Sequence, residues 1–324
     1  MIKMIENKHE KNLISYSGEL SQKAHRFSHN AMATVFEIII IHEDARYAEQ
    51  SAYQAFCELD RLEQELSKFI ENSDISRINS SGMNQPVRVG LETFECLEQC
   101  ACLSMNTNNA FDVTVGPLLK CWSNGDKTFR IPTKQDLIRA RESTGMHHVH
   151  LDKNQLTVTL RSGNMCIDLG GFGKGYAVDC MAKVLDDWDI TSALIHGGTS
   201  SVLAFGAPSG ERGWHVTLRN PKDFNQIITH LYLRNRAISG SGIRKGQHII
   251  DPQTAYPVNR KHAAWAISTT AASSDALSTA FMIMSPEEIK DYCLNNDDIQ
   301  AIIIMKETEN KEKILRFGEF KHLE

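Results

Sequence analysis

The run TVFEIIII at 34–41 is apolar almost throughout and predicts a buried strand. Directly after it, apolar residues recur at Ala48, Ala52, Phe56, Leu59, Leu62 and Leu66. That spacing predicts an amphipathic helix with Asp44 as its N-cap. A second helix is expected over about 91–107, and HHVHLDKNQLTVTL alternates as a hairpin turning at Asp152–Gln155. Short strands are expected at 164–169, 192–196, 201–205, 214–219, 228–233, 247–250, 263–268 and 300–304. Helices are expected near 174–187, 274–284 and 286–294. This mixture predicts an α+β fold, with no repeat, no low-complexity tract and no composition break at a domain boundary. Residues 1–25 read as a polar, aperiodic N-terminal arm, and 26–324 as a single domain.

Composition narrows the classes. A chain of 324 residues can form one large domain or two intimately packed lobes, and 41% hydrophobic with 23% charged residues fits a soluble globular protein. A formal charge of -5 without a long basic stretch gives no basis for a nucleic-acid partner. No apolar run is long enough to span a bilayer. The segment MIKMIENKHEKNLISYSGEL lacks the hydrophobic centre of a signal peptide, and the first cysteine is Cys57, so no early thiol is available for a lipid. A cytoplasmic location is the expectation.

Eight cysteines in this length do not suggest a disulfide framework. Cys96, Cys100 and Cys102 cluster in sequence, but apolar residues around them recur at helical spacing and no fourth ligand is nearby. Buried thiols are favoured over a metal site.

Four segments carry chemistry. In IDLGGFGKGYAVDCMAKVL (167–185) a strand is expected to end at Leu169, four glycines follow, and a helix opens around Lys174. Backbone N–H groups, the helix N-terminus and the lysine charge would favour a phosphate there; a plain tight turn is the alternative. The turn in ALIHGGTSSVLAFG (193–206) reads as a hairpin. In AISGSGIRKGQHIIDPQTAYPV (237–258), His248 opens a short apolar strand downstream of Ser239 and Ser241; it could be a general base or a structural histidine. In STTAASSDALSTAFMIM (268–284), Ser273 or Ser274 is the expected N-cap, which would put Asp275 in the first turn and Thr279 one turn on. A carboxylate and a hydroxyl so placed could hold magnesium, or Asp275 could simply complement the helix dipole.

Together and in this order, these segments resemble the ApbE family of FAD:protein FMN transferases from about residue 29 to 305. NAMATVFEI looks like its opening Met-Gly-Thr strand, and LSKFIENSDISRIN like its Ser-Glu-Ile-Ser-x-Leu-Asn segment. FDVTVGPLLKCW is close to its Phe-Asp-x-Thr-x-Gly-Pro-Leu-x-x-x-Trp motif, and IDLGGFGKGYAVD, HIIDPQTAYPV and SDALSTAFMIM follow in the expected order. The resemblance implies an ApbE-like (T-fold-like) α+β architecture of mainly antiparallel sheets and packed helices, with FAD between two lobes. It implies Mg2+-dependent transfer of the FMN half of FAD to a Thr or Ser of an acceptor flavoprotein bearing an Asp-x-x-Ser/Thr-Gly-Ala-type motif, with AMP released. Carried over by motif, Asp275 and Thr279 would ligate magnesium with a backbone carbonyl near Gly173. Met32, Gly171, Lys174, Gly197, Gly198 and Ser241 would bind FAD. Asp112, Asp179, His248 and Asp251 would build or orient the site, with His248 as the base.

Three departures stand out. Thr199 replaces the aspartate of a Gly-Gly-Asp segment, Ser239–Gly242 stands for Thr-Ser-Gly, and Ala255 replaces the glycine of Asp-Pro-x-Thr-Gly. The alternative is therefore an FAD-binding protein of this fold that only cleaves the FAD pyrophosphate, or does no chemistry.

Overall fold

The computed structural model describes residues 14–18, 23–124, 128–243, 246, 248–308 and 311–324. In chain order the strands are β1 (Ile14–Tyr16), β2 (Ala24–Ala31), β3 (Thr34–Ile41), β4 (Pro86–Arg88), β5 (Val149–Asp152), β6 (Thr157–Leu160) and β7 (Ala193–Gly197). They continue with β8 (Ser201–Phe205), β9 (Trp214–Arg219), β10 (Ile227–Leu233), β11 (Arg236–Gly242), β12 (Lys261–Ser268), β13 (Gln300–Thr308) and β14 (Lys311–Phe317). The helices are α1 (Ala45–Leu66), α2 (Asp74–Ser80), α3 (Leu91–Asn106), α4 (Gly116–Cys121), α5 (Lys134–Glu142), α6 (Gly173–Asp187), α7 (Ala271–Ile283) and α8 (Pro286–Leu294).

An eight-stranded antiparallel sheet in the order β14-β13-β12-β11-β8-β7-β3-β2 forms the middle layer. Side chains alternate across it. Ile38, Ile40 and Ile303 face the large core under α1, α6 and α7, while Ile39, Ile302 and Ile304 face a second core. The small sheet β1-β9-β10 covers that second face through Ile14, Trp214, Val216 and Leu231. With both faces buried, β3 must be apolar at successive positions, so TVFEIIII shows no alternation. A third sheet, β4-β6-β5, contains the expected hairpin at 149–160.

The structure corrects several expectations. Ile14–Tyr16, within the expected polar arm, pairs with β9, and Ile14 is buried. β2 also begins inside that arm, at Ala24. Residues 164–169 form no strand. Met165, Cys166 and Ile167 are buried like strand residues, but their backbone bonds go to separate segments: Gly116 N–H to Cys166 O at 3.2 Å, and Asp168 N–H to Val113 O at 2.7 Å. In the 247–250 segment, residue 247 lies outside the described residues, and Ile250 makes only an isolated bridge with Pro257. Helix α7 starts earlier than expected. Its N-cap is Thr270, whose hydroxyl accepts from Ser273 N–H, so Asp275 lies in the second turn.

Two positions where the motifs have glycine carry alanine with positive φ, Ala33 at 56° and Ala255 at 65°. Left-handed backbone costs an L-residue about 1–2 kcal/mol. At Ala255 the buried methyl offsets part of this by packing with Trp122 and Ile250. Cys96 and Cys100 are buried in the core of α3, whereas Cys102 is exposed, so the three do not share a face.

Candidate active site

Helices α6 and α7 meet at unusually short range, and the sequence dictates how. A Cβ on Gly175 would lie 2.2 Å from Ala271 O. Asp179, one turn further along α6, accepts the N–H groups of Ala271 and Ala272 at 2.7 and 2.8 Å. With Thr270, it satisfies the N–H groups at the start of α7 that no helical carbonyl can reach. α6 is thus bolted to the N-terminus of α7 by a carboxylate and brought close by a glycine.

That contact sets Asp275 beside the glycine turn. Its Oδ2 accepts from Gly175 N–H at 3.2 Å and lies 3.6 Å from Lys174 Nζ, which also donates to Gly170 O at 3.1 Å. Thr279 follows one turn on, and its Oγ1 would touch a Cβ on Gly171 at 3.0 Å. Strand β11 is seated on the same helix by paired hydroxyls, Ser239 with Ser274 and Ser241 with Ser278, each at 2.8 Å. Two residues along a strand and four along a helix both advance about 6–7 Å, so the pairs stay in register. Ser241 also reaches Thr279 Oγ1 at 3.1 Å.

Gly170, Gly171, Lys174, Ser241, Asp275 and Thr279 line a cleft of about 410 Å³. Of the expected site residues, it brings together Asp112, Gly171, Lys174, Ser241, His248, Asp275 and Thr279. His248 is exposed on its rim, and its Nδ1 lies 2.9 Å from Gly246 O. A carbonyl only accepts, so Nδ1 is the donor in this contact. Asp112 is buried; its carboxylate accepts from Thr114 N–H, Thr114 Oγ1–H and Met146 N–H, and burial pushes its pKa up. It shapes the wall that leads into α4.

Met32, Gly173, Asp179, Gly197, Gly198 and Asp251 are not on the cleft wall. Met32 N–H binds Glu63 at 2.6 Å, and a Cβ on Gly197 would meet Val178 at 2.8 Å. Gly198 turns the β7–β8 hairpin at φ 68°, and Gly173 N–H is held by Leu169 O. Asp251 caps its own turn through Gln253 N–H and Thr254 Oγ1–H. Their sequence neighbours Lys174, Thr199, Ile250 and Pro252 do line it, so these residues set the backbone next to the cleft.

The sequence reading missed Asp168, Ser200 and Trp265, and it read Thr199 only as a departure; all four line the cleft. Asp168 Oδ1 accepts Gly170 N–H at 2.9 Å and Oδ2 pairs with Lys68 at 2.5 Å, tying the glycine turn to the loop after α1. Asn79 grips the same segment by both polar groups of Ile167, at 2.9 and 2.7 Å. A carboxylate immediately before a glycine turn was the available signal.

Burial raises the Asp179 pKa to about 6, against the lowering effect of the two helix N–H donors. The folded state therefore holds this proton more tightly than the unfolded chain. Its contribution to stability is full below about pH 4 and is lost as pH rises through about 6, an effect of up to about 3 kcal/mol. Asp179→Asn, always neutral, should gain stability relative to wild type between pH 4 and 7 in thermal melts. A constant difference across that range would contradict the assignment.

The model of the ApbE family matches residues 32–303. A relative from Escherichia coli (strain K12), named FAD:protein FMN transferase, is 25% identical over 291 residues, covering 85% of this chain and 82% of its own. One from Klebsiella pneumoniae (strain 342) with the same name is 29% identical over 280 residues, covering 82% and 85%. Among solved structures, the flavin transferase ApbE of Vibrio cholerae superposes with a TM-score of 0.80 at 25% identity, covering 92% of this chain and 99% of its own. The ApbE protein of Thermotoga maritima gives 0.81 at 26% identity, covering 92% and 98%. With a family match over most of its length and the same architecture, the chain belongs to the ApbE family.

Proposed function

We propose that this chain transfers the FMN half of FAD to a Thr or Ser hydroxyl of an acceptor flavoprotein, with magnesium, releasing AMP. The observation that carries the reading is the convergence of the Asp275 carboxylate, the Thr279 hydroxyl and the Lys174 ammonium on a glycine turn inside one cleft. Relatives of similar length bear the name of this activity.

Among the described residues, no three His, Cys, Asp or Glu side chains gather as a metal cage. The donors available are one carboxylate, hydroxyls and backbone carbonyls, which fit a small hard cation that completes its shell with water or phosphate oxygens. Asp275 and Thr279 would hold it, with a carbonyl of the glycine turn, for which Gly173 is the candidate. When bound, magnesium would neutralise charge on the phosphoryl oxygens of the pyrophosphate.

The chain's own residues supply the rest. Lys174 provides a fixed cation beside the pyrophosphate, and the N-terminus of α6 favours the same anion. Asp168 and Asn79 hold the glycine turn rigid, so alignment of FAD is set before the reaction. His248 at the rim would take the proton of the incoming hydroxyl on Nε2, with Nδ1 oriented by Gly246 O. The FMN phosphorus–oxygen bond to the acceptor forms as the bond to AMP breaks. Replacing His248 by Ala should slow transfer about 10²- to 10⁴-fold while FAD affinity stays nearly unchanged. Stopped assays of AMP release and a flavin-fluorescence titration check this; a wild-type rate would place the base elsewhere.

The acceptor would carry an Asp-x-x-Ser/Thr-Gly-Ala-type motif, and the cytoplasm is the proposed location. No helix among the described residues is long and apolar enough to cross a membrane.

A further inference from the structure

Large apolar side chains at a surface are ordinary when scattered and informative when they gather. Phe129 is 51% exposed and stacks on the Trp122 ring, with centroids 5.5 Å apart. Tyr256 is 52% exposed and packs against the same ring at 5.6 Å. Ile131, only two residues beyond Phe129, is 83% exposed. Trp122 itself is buried and forms the floor on which the two rings rest.

Two elements tie this patch to the cleft. Helix α4 carries Leu119, which lines the cleft, and ends at Trp122. The turn after Ile250 is closed by Asp251 N–H on Tyr256 O at 2.9 Å, and its Ile250 and Pro252 also line the cleft. Trp122 Nε1–H donates to Ala255 O at 2.8 Å and joins the two elements. His248 precedes Ile250 by two residues on the same wall. Charge sets the region apart as well. Residues 116–142 hold six Lys and Arg against three Asp and Glu, although the whole chain stands at -5. Lys120, Arg130 and Lys134 among them are exposed, and Arg130 Nε–H donates to Cys121 O at 2.7 Å, which anchors that cation beside Trp122.

We infer that Phe129, Ile131 and Tyr256, with the cations around them, are the docking surface for the acceptor protein, which meets them with apolar side chains rimmed by Asp or Glu. The inference rests on the transferase reading, since that reaction needs a polypeptide at the His248 side of the cleft. A second copy of this chain fits the patch badly. A two-fold contact would set the patch against itself and bring like charges together. An acidic partner is instead steered toward the cleft by the basic residues and held there by the apolar ones.

Ile131→Glu and Lys134→Glu test it. The first changes a side chain that is 83% exposed, and the second puts an acid in the first turn of α5, where the helix dipole favours it, so both should fold. The probe is a folded flavoprotein domain bearing an Asp-x-x-Thr-Gly-Ala segment, with its mass gain followed at several probe and salt concentrations. The expected result is a KM for the probe raised about tenfold in each variant, with kcat at saturating probe and the Kd for FAD unchanged. Salt should raise the wild-type KM and do so less in Lys134→Glu. Wild-type KM values in both variants would overturn the inference and leave the transferase reading intact. A wild-type dimer in sedimentation that Ile131→Glu converts to monomer would assign the patch to a second copy and overturn it as well. Absence of any mass gain with the wild type would overturn the transferase reading, and the inference with it.

Discussion

Asp275→Asn is expected to lower the rate of FAD cleavage about 10³-fold and to leave FAD affinity within about threefold. The asparagine keeps the shape and can still accept Gly175 N–H, so the α6–α7 contact survives. What it loses is the negative charge 3.6 Å from Lys174 and the one carboxylate aimed at the proposed cation. Charge stabilisation of this kind is worth several kcal/mol in the transition state, and each 1.4 kcal/mol is roughly tenfold in rate. Alanine would be a poorer test, because it would strand the buried Gly175 donor and cost stability as well. Single-turnover measurement of AMP release settles the matter, and a variant within tenfold of wild type would remove Asp275 from the chemistry.

Gly175→Ala should damage both stability and activity. Helix propensity alone would favour alanine by up to about 1 kcal/mol in the first turn of α6. Against that, the new methyl would lie 2.2 Å from Ala271 O, 2.6 Å from its carbonyl carbon and 2.9 Å from Ala272 Cα. All three are backbone atoms in a turn held by Asp179 and Thr270, so no side chain can swing aside. Relief requires α7 to move, and overpacking of that kind typically costs about 1–3 kcal/mol and here should reach the upper end. A net loss of about 2 kcal/mol in urea unfolding is expected, with activity falling further because Asp275 moves with its helix. A variant as stable as wild type would mean that the two helices are not locked as described.

Much of this was legible in the sequence, for identifiable reasons. Helix α1 declared itself because one face only is buried, giving apolar residues from Ala48 to Leu66 at helical spacing, and Asp44 does cap it. The α+β class followed from the mixture of such helices with short apolar runs. The segment at 164–169 misled because burial and strand pairing are separate properties. Met165 and Ile167 are buried, but the backbone of Cys166, Ile167 and Asp168 is satisfied by Gly116, Asn79 and Val113, residues distant in sequence. β1 was invisible, since a three-residue strand at a sheet edge has no periodicity to read. The cap of α7 was misplaced because Ser273, Ser274 and Thr270 are all good capping residues, and the choice is made by Asp179, 92 residues away.

The same distinction runs through the site. Lys174, Asp275, Thr279 and His248 could be named from local motifs because Lys174 and His248 sit at a helix start and a turn, and Asp275 and Thr279 share one face of a helix. Met32, Gly197, Gly198 and Asp251 belong to the same motifs and form turns and packing contacts, with Thr199, Ile250 and Pro252 beside them on the cleft wall. A motif marks a conformation that must be kept, and it does not say which of its residues faces the ligand. Trp265 and Asp168 show the converse. Nothing in an apolar strand declares that Trp265 will reach a cavity assembled from distant segments, and for Asp168 the one signal was a carboxylate beside a glycine turn.

The account stands or falls on covalent transfer. Mass spectrometry of an acceptor flavoprotein, after incubation with this chain, FAD and magnesium, reads that directly, with a parallel sample lacking magnesium. The account predicts a magnesium-dependent mass gain equal to one FMN phosphodiester on a Thr or Ser, with AMP released in equal amount. Cleavage of FAD to free FMN and AMP with no adduct on any acceptor offered, or binding of FAD without cleavage, would contradict it.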